Sequence, residues 1–198
     1  MEDTLRDAFV ELRALSDNTF LSHPNDCKLH AMIDTEDDLT GCWCVFSALF
    51  AALKREGFAR LSKDYPDLIA AHDQQNFKMR LLRYPATQST MVRGKEHTDY
   101  GTFSLIFADA AGLEVEKGGE WVEASADETN PAVVVGSSMK LLADPSATPT
   151  NHRVSGNSLR HSIVLFIEAN DDFAFRDGQT MKEYIKRRSG TGVTVEEE

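Results

Sequence analysis

His97, Asp99 and His152 are the residues of this chain whose types and spacing best suit metal chemistry. His97 and Asp99 are two positions apart, so their side chains share one face of an extended backbone. His152 lies further along the chain, at the start of another apparent strand. Two imidazoles and one carboxylate form a set that leaves coordination positions of an Fe(II) ion open. Although an isolated H-x-D pair often arises by chance, the order of this pair and the later histidine predicts an iron site.

A second group of residues suits the binding of a carboxylate. Arg160 and Ser162 share one face of a predicted strand, and Val164 and Phe166 continue that face. A guanidinium fork beside a hydroxyl can hold a carboxylate at the end of a mostly apolar pocket. His161 points to the opposite face, and we interpret it as a structural residue.

The first 80 residues or so are predicted to be mostly helical, because their apolar residues recur at helical spacing. A polar stretch without a period, Ser22 to Asp38, is predicted as a loop, with partial disorder as the alternative. The predicted helices are one through Leu5, Phe9, Leu12 and Leu15, one that starts near Thr40 and stops at Gly57, and one over Asp67 to Gln75.

Short β-rich runs separated by turn residues follow from Lys78 onward, a pattern typical of a β-sandwich or barrel. A last helix is predicted from Thr180 to Arg188. The predicted strands are Met79 to Tyr84, Thr102 to Phe107, Leu113 to Val115, Trp121 to Glu123, Ala132 to Val135, Lys140 to Leu142, and Leu159 to Glu168.

The composition describes an acidic globular protein. The 198 residues include 21 Lys and Arg against 32 Asp and Glu, which gives a formal net charge of −11. Such a surface repels phosphate backbones and anionic lipids, so nucleic-acid and membrane partners are not expected. A cluster of Lys182, Lys186, Arg187 and Arg188 is predicted to be the solvated end of the last helix. No apolar run is long enough to span a bilayer, and the sequence does not determine an oligomeric state.

Three cysteines, Cys27, Cys42 and Cys44, cannot all pair with one another. With no basic-then-apolar leader at the N-terminus, this favours a reducing, cytoplasmic location. The pair Cys42 and Cys44 lacks a second Cys/His pair at metal spacing. We therefore predict small apolar core residues of a helix here, with half of a metal site as the alternative.

Taken together, the motifs resemble those of the Fe(II)/2-oxoglutarate-dependent dioxygenases of the isopenicillin N synthase-like group. The resemblance covers about residues 77 to 176. Its motifs are Tyr84-Pro85, His97-Thr98-Asp99-Tyr100-Gly101-Thr102, Gly112-Leu113-Glu114-Val115, Trp121-Val122, Val134-Val135-Gly136, His152-Arg153-Val154 and Arg160-His161-Ser162.

The resemblance implies a mainly β fold, a double-stranded β-helix (jelly-roll, cupin-like) barrel preceded by an α-helical N-terminal region. It matches His97, Asp99 and His152 to the catalytic iron ligands. Arg160 and Ser162 match the pair that binds the distal carboxylate of 2-oxoglutarate. Tyr84 matches a tyrosine that assists there, with a packing role in the barrel as the alternative.

The function that the resemblance implies is an oxidoreductase that uses Fe(II), 2-oxoglutarate and O₂. It would oxidise a small organic molecule, by hydroxylation as the default outcome, and release succinate and CO₂. Two alternatives stay open at this point. One is an Fe(II)/O₂ oxidase of the same group that does not use 2-oxoglutarate. The other is a shortened binding protein without catalytic activity.

We predict a single domain over residues 1–198, with a helical region over 1–76, the dioxygenase core over 77–176, and a C-terminal helix and tail over 177–198.

Two departures from the family pattern stand out. By this resemblance, the 198 residues would lack most of the long N-terminal segment of family members, and Ser137-Ser138 replaces the usual acidic residue after Val135-Gly136. We expect the serines to alter a turn without touching an iron ligand.

Overall fold

A computed structural model describes residues 1–22, 27–33, 44–143 and 145–189 of the chain. The helices are α1 (Glu2–Ala14), α2 (Cys44–Asp64), α3 (Met139–Leu142) and α4 (Met181–Arg188), with short 3-10 helices at Asp17–Thr19 and Pro66–Ala71. The strands are β1 (Leu21–Ser22), β2 (Leu29–Ile33), β3 (Phe77–Tyr84), β4 (Met91–His97), β5 (Phe103–Ala108), β6 (Leu113–Lys117), β7 (Glu120–Glu123), β8 (Ala132–Val135), β9 (His152–Gly156) and β10 (Arg160–Ile167).

The strands form two antiparallel sheets. The major sheet has the order β1-β2-β3-β10-β5-β8, and the minor sheet has the order β4-β9-β6-β7. Some neighbouring strands are consecutive in sequence, but others are distant, since β3 pairs with β10 and β4 pairs with β9. These crossings bring residues from both halves of the chain to the same sheet edges.

The alternation of side chains along β10 separates the main core from the candidate site. Ile163, Leu165 and Ile167 belong to a large buried cluster that also contains residues of α1 and α2, such as Phe9 and Leu53. Val164 belongs to a smaller cluster between the two sheets. Because a strand has a period of two, the helices cover one face of the major sheet and the minor sheet covers the other.

The helix predicted to stop at Gly57 continues to Asp64, so that prediction is wrong. Gly57 is buried inside α2, where a Cβ atom would lie 3.0 Å from Leu165 Cδ2. The glycine therefore permits close packing of the helix on β10 and does not end the helix. Tertiary packing here outweighs the helix-stop signal of the sequence.

Other predictions around the core also need correction. Part of the predicted loop Ser22 to Asp38 is strand β2, which pairs with β3. The run Lys140 to Leu142 lies in helix α3 and is not a strand. The helix predicted over Asp67 to Gln75 is a 3-10 helix that ends at Ala71. Short segments of this kind take their conformation from their neighbours more than from their own composition.

The last helix is confirmed at Met181–Arg188, with Thr180 as its N-cap in a capping box with Glu183.

The prediction that the cysteines near the start of α2 are small core residues is wrong for Cys44. Cys44 is exposed at the start of α2, so it is not a core residue. Cys42 lies outside the described residues.

Among the helices that the structure describes, none is long and apolar enough to cross a membrane.

Candidate active site

Three elements bring His97, Asp99 and His152 together. His97 ends β4, Asp99 lies in the loop that follows, and His152 begins β9. His97 and His152 are directly paired across the two strands. Asp99 Oδ1 lies 3.6 Å from His97 Nε2 and 3.9 Å from His152 Nε2. One ligand atom from each residue therefore falls within 4.8 Å of the others.

Main-chain contacts orient both imidazoles toward Asp99. His97 Nδ1 lies 2.8 Å from the Lys95 carbonyl, and His152 Nδ1 lies 3.0 Å from the Thr150 carbonyl. Because a carbonyl oxygen only accepts, each Nδ1 must carry the hydrogen, and each neutral ring then presents a lone pair at Nε2. Metal-binding histidines are commonly fixed in this way.

Ser104 orients the carboxylate. Its hydroxyl donates to Asp99 Oδ2 at 2.6 Å, which leaves Oδ1 facing the two imidazoles. Both residues are buried. Ser104 comes five positions after Asp99 on β5, and no local pattern in the sequence marks it as part of the site.

The turn at Ser137 also supports Asp99, contrary to the expectation that the serine pair would touch no ligand. Ser137 donates to the Asp99 carbonyl from both its amide and its hydroxyl, each at 2.8 Å. Its hydroxyl is also 2.9 Å from the Thr98 hydroxyl. Ser104 and Ser137 therefore both stabilise the position of Asp99, the first through its carboxylate and the second through its main-chain carbonyl.

The environment of His97 favours its neutral form. Burial of the ring lowers the pKa of His97, and the neighbouring His152 lowers it further, while Asp99 opposes the shift. The His97 side chain is still 49% exposed, whereas those of Asp99 and His152 are almost fully buried. The cluster therefore has one open side.

Arg160, Ser162 and Tyr84 lie together on the inward face of β10 and β3. Tyr84 is the cross-strand neighbour of Arg160, and the guanidinium carbon of Arg160 is 5.3 Å from the centre of the Tyr84 ring. Arg160 donates from Nη1 to the Ser162 hydroxyl at 3.0 Å and from Nε to the Ala110 carbonyl at 3.1 Å. Its Nη2 is buried with no hydrogen-bond partner among the described residues.

One cavity joins the two groups of residues. His97, Asp99, His152, Tyr84, Arg160 and Ser162 all contribute to its wall. The rest of the wall is mostly apolar and includes Val164 and Phe166. Six residues chosen from sequence patterns therefore surround a single space.

Two cations of the cavity wall were not identified from the sequence, Lys28 and Arg80. Arg80 lies four positions before Tyr84 on β3, so the period of two places it on the same face. That signal was available in the sequence. Lys28 just precedes β2, in the polar stretch where no period gave a signal.

His161, interpreted as structural, does point away from the cavity. Its Nδ1 lies 2.8 Å from Asp109 Oδ2, and Arg83 Nε donates to its Nε2 at 3.1 Å. Arg83 also reaches main-chain carbonyls at the end of α1, such as that of Arg13. This cluster fastens the first helix to the major sheet.

The residues of the cavity fit an iron ion and 2-oxoglutarate. Two imidazole nitrogens and one carboxylate oxygen lie within 4.8 Å of one another, close enough to bind one metal ion. A buried guanidinium nitrogen that has no partner in the described part of the chain is suited to a carboxylate, since an unpaired polar group is costly to bury. His97, Asp99 and His152 would hold the metal, and Arg160 with Ser162 would hold the distal carboxylate.

Two histidines and one carboxylate with open coordination positions are the donor set of non-haem Fe(II) oxygenases. The sequence model of the 2OG-Fe(II) oxygenase superfamily matches residues 74–169. The proline hydroxylase buaE of Petromyces alliaceus is 31% identical over 167 residues, which are 71% of this chain and 50% of that protein. The homoarginine-6-hydroxylase 2-ODD-233 of Oryza sativa subsp. japonica is 32% identical over 56% of this chain and 36% of its own length.

Residues 74–169 of the chain therefore belong to the 2OG-Fe(II) oxygenase superfamily. The chain spans half or less of the length of these two relatives. The crystal structure of a full-length Neurospora crassa protein in complex with alpha-KG and 5-formyluracil superposes with a TM-score of 0.78 at 21% identity, over 95% of this chain and 82% of that one. This likeness confirms the predicted double-stranded β-helix fold. The division of the chain at residues 76 and 176 stays a prediction.

Proposed function

We propose that the protein is an Fe(II)- and 2-oxoglutarate-dependent dioxygenase that hydroxylates a small organic molecule and releases succinate and CO₂. One observation carries the proposal. The converging atoms of His97, Asp99 and His152 and the unpartnered Nη2 of Arg160 face the same cavity within the described structure. A metal site and a carboxylate site in one space are what an iron-bound 2-oxo acid with a second, distal carboxylate requires.

Each residue has a distinct role in the proposal. His97 and His152 present Nε2 lone pairs, and Asp99 adds a negative charge that favours a divalent cation. Arg160 and Ser162 bind and orient the distal carboxylate, and the Tyr84 hydroxyl assists them. The apolar wall around Val164 keeps water away from the reacting groups.

When bound, Fe(II) would supply the redox chemistry that couples oxidative decarboxylation of 2-oxoglutarate by O₂ to insertion of oxygen into a C–H bond of the substrate. The protein's own contribution is geometric and electrostatic. Its histidines are held by main-chain carbonyls and its aspartate is held by Ser104, so the three donors need little rearrangement to accept a metal.

A small-molecule substrate is supported by charge and by the relatives. The net charge of −11 disfavours a nucleic-acid substrate. The relatives named above are hydroxylases of proline and of homoarginine, both small molecules. A cytoplasmic location stays a prediction from the cysteine count.

The test is turnover under air with Fe(II), 2-oxoglutarate and a panel of small organic acids, amino acids and heterocycles. Succinate and CO₂ should form, and a substrate in the panel should gain one oxygen atom. Formation of an oxidised product without succinate would instead identify the Fe(II)/O₂ oxidase. Turnover that occurs only with a peptide or a nucleic acid would contradict the small-molecule part of the proposal.

The variant Arg160→Met tests the co-substrate site, and His161→Ala is its matched control. It should bind Fe(II) like the wild type but lose most of its affinity for 2-oxoglutarate, because the distal carboxylate loses its charged donor. His161→Ala, which changes the neighbouring residue on the opposite face, should keep both affinities. Equal effects of the two variants would contradict the assignment of Arg160.

A further inference from the structure

Arg93 is a buried cation of β4 to which the proposed function assigns no role. It is 1% exposed. Its Nη1 donates to the Ser158 carbonyl at 2.6 Å and lies 3.4 Å from the Pro85 carbonyl. Ser158 lies two positions before Arg160, and Pro85 directly follows Tyr84. Arg93 therefore connects the two strand ends that carry the proposed carboxylate site.

Arg93 also contacts Tyr84 through its ring. Its guanidinium carbon lies 5.5 Å from the ring centre, and that of Arg160 lies 5.3 Å from the same centre. Two cations thus share one aromatic ring, a favourable contact for each of them. Burial is the main cause that lowers the pKa of Arg160, Tyr84 and Asp109 oppose the shift, and the charge of Arg93 adds a smaller lowering effect.

The main chain around Arg93 is shaped to seat a guanidinium group. Gly156 adopts a positive φ of 126°, and a Cβ atom there would lie 3.2 Å from Arg93 Nη2. Gly94 lies against the other side of the site, where a Cβ atom would be 3.7 Å from the Tyr84 hydroxyl. A side chain at Gly156 would crowd the Arg93 guanidinium, whereas one at Gly94 would make an ordinary contact with Tyr84.

No carboxylate neutralises Arg93 within the described parts of the chain. Its hydrogen bonds there all go to main-chain carbonyls, and its Nε has no partner among these residues. Arg93 also lines a surface cleft together with Glu114. The Glu114 carboxylate, however, accepts a hydrogen bond from Arg153 Nε at 2.6 Å. Burial of a cation without a counter-charge is costly, so a purely structural role would be better filled by a neutral donor.

We propose that Arg93 is a positioning residue for the distal carboxylate of 2-oxoglutarate, which holds Tyr84 and Arg160 in place and adds a second positive charge to their site. The inference rests on the proposed function. A carboxylate that binds at Arg160 offsets the mutual repulsion of the two guanidinium groups. Arg93 should therefore favour a co-substrate with a distal carboxylate over one that ends in a methyl group.

The test compares two co-substrates in the full chain loaded with Fe(II) without oxygen. 2-Oxoglutarate and 2-oxovalerate, which carries a methyl group in place of the distal carboxylate, are each titrated while the weak visible absorption band of the iron chelate is followed. In Arg93→Gln, which keeps an amide donor and loses the charge, 2-oxoglutarate should bind roughly 10- to 100-fold more weakly, the scale of one charge interaction in a protein interior. Binding of 2-oxovalerate should change little, and Arg93→Lys should restore most of the preference.

Loss of affinity for both co-substrates to the same degree, or no loss in Arg93→Gln, would overturn the inference. If the Arg93 variants do not fold, Arg160→Gln serves in their place. It should keep a residual preference for 2-oxoglutarate that Arg93 supplies, and equal affinities would overturn the inference. A wild-type protein that forms no chelate band would contradict the proposed function itself.

Discussion

Two clusters of histidine and carboxylate lie on opposite sides of the major sheet, and they differ in how their polar atoms are used. In the cluster of His161 and Asp109, each ring nitrogen has a partner, because Asp109 accepts at one and Arg83 donates to the other. In the cluster of His97, Asp99 and His152, the Nε2 atoms and Oδ1 face one another at 3.6 to 3.9 Å, beyond hydrogen-bond distance.

The difference shows how the same residue types serve two purposes. In the closed cluster, that of His161, Asp109 and Arg83, lone pairs and hydrogens are matched, so the cluster stabilises the fold and has no free donor or acceptor on the imidazole for a ligand. An open cluster orients its donors through outer contacts and leaves the inner atoms available. Substitutions in the cluster of His97 should therefore change metal binding, and substitutions in the cluster of His161 should change stability.

The largest effect is expected for His97→Ala. It removes one converging donor, so Fe(II) affinity should fall by more than about 100-fold, beyond the effect of losing an outer contact. Because the His97 side chain is half exposed and fills no part of the core, the thermal midpoint of the metal-free protein should stay close to the wild-type value. Anaerobic Fe(II) titration and a thermal melt measure the two quantities. Unchanged Fe(II) affinity would show that the open cluster is not the metal site.

The opposite pattern is expected for Asp109→Asn in the closed cluster. The substitution removes the charge that His161 and Arg13 contact. The free energy of unfolding should fall by ~2–4 kcal/mol, as for other broken partly buried ion pairs. Fe(II) affinity of the folded protein should not change. Urea denaturation gives the stability, and a loss of metal binding without a loss of stability would refute the assignment.

An intermediate effect is expected for Ser104→Ala, which removes the donor to Asp99 Oδ2. Fe(II) affinity should fall roughly 10- to 100-fold, the usual range for an outer contact of a metal ligand. Ser138→Ala is the matched control, because Ser138 is equally buried and its hydroxyl has no partner among the described residues. If both variants bound Fe(II) equally well, Ser104 would have no role in orienting the carboxylate.

The smallest effect concerns the pH dependence of stability. Hydrogen bonds from His161 and Arg13 hold the pKa of Asp109 below its usual value of 3.8, against the opposing effect of burial. The contribution of Asp109 to stability is therefore present above pH 3.8 and is lost as the pH falls through the lower pKa of the folded state. The stability difference between wild type and Asp109→Asn should stay constant from pH 7 to about 5 and shrink toward pH 3. A difference that does not shrink would contradict this origin.

The sequence alone was sufficient for most of the candidate site, because strands impose a period of two. That period placed Arg160 and Ser162 on one face and His161 on the other, as the structure has them. The period of two assumed an extended strand through both His97 and Asp99, whereas Asp99 lies in the loop after β4. Even so, the spacing brought Asp99 next to His97.

Features that depend on distant segments could not be predicted. Ser104 and Ser137 reach Asp99 only after β5 and the turn beyond β8 are folded against the site. Gly57 resembles a helix stop until its contact with β10 is known. Lys28 reaches the cavity because the segment beside it pairs with β3 as β2, in a stretch whose composition favours a loop.

Whether this cavity holds both iron and 2-oxoglutarate is tested by an anaerobic titration of the metal-free protein with Fe(II) and then with 2-oxoglutarate. We expect one Fe(II) to bind per chain, followed by a weak visible absorption band when 2-oxoglutarate chelates the iron. The band should be absent in His97→Ala and shifted to much higher 2-oxoglutarate concentration in Arg160→Met. Absence of Fe(II) binding in the wild type, or unchanged Fe(II) affinity in His97→Ala, would contradict the assignment of these residues as the iron site.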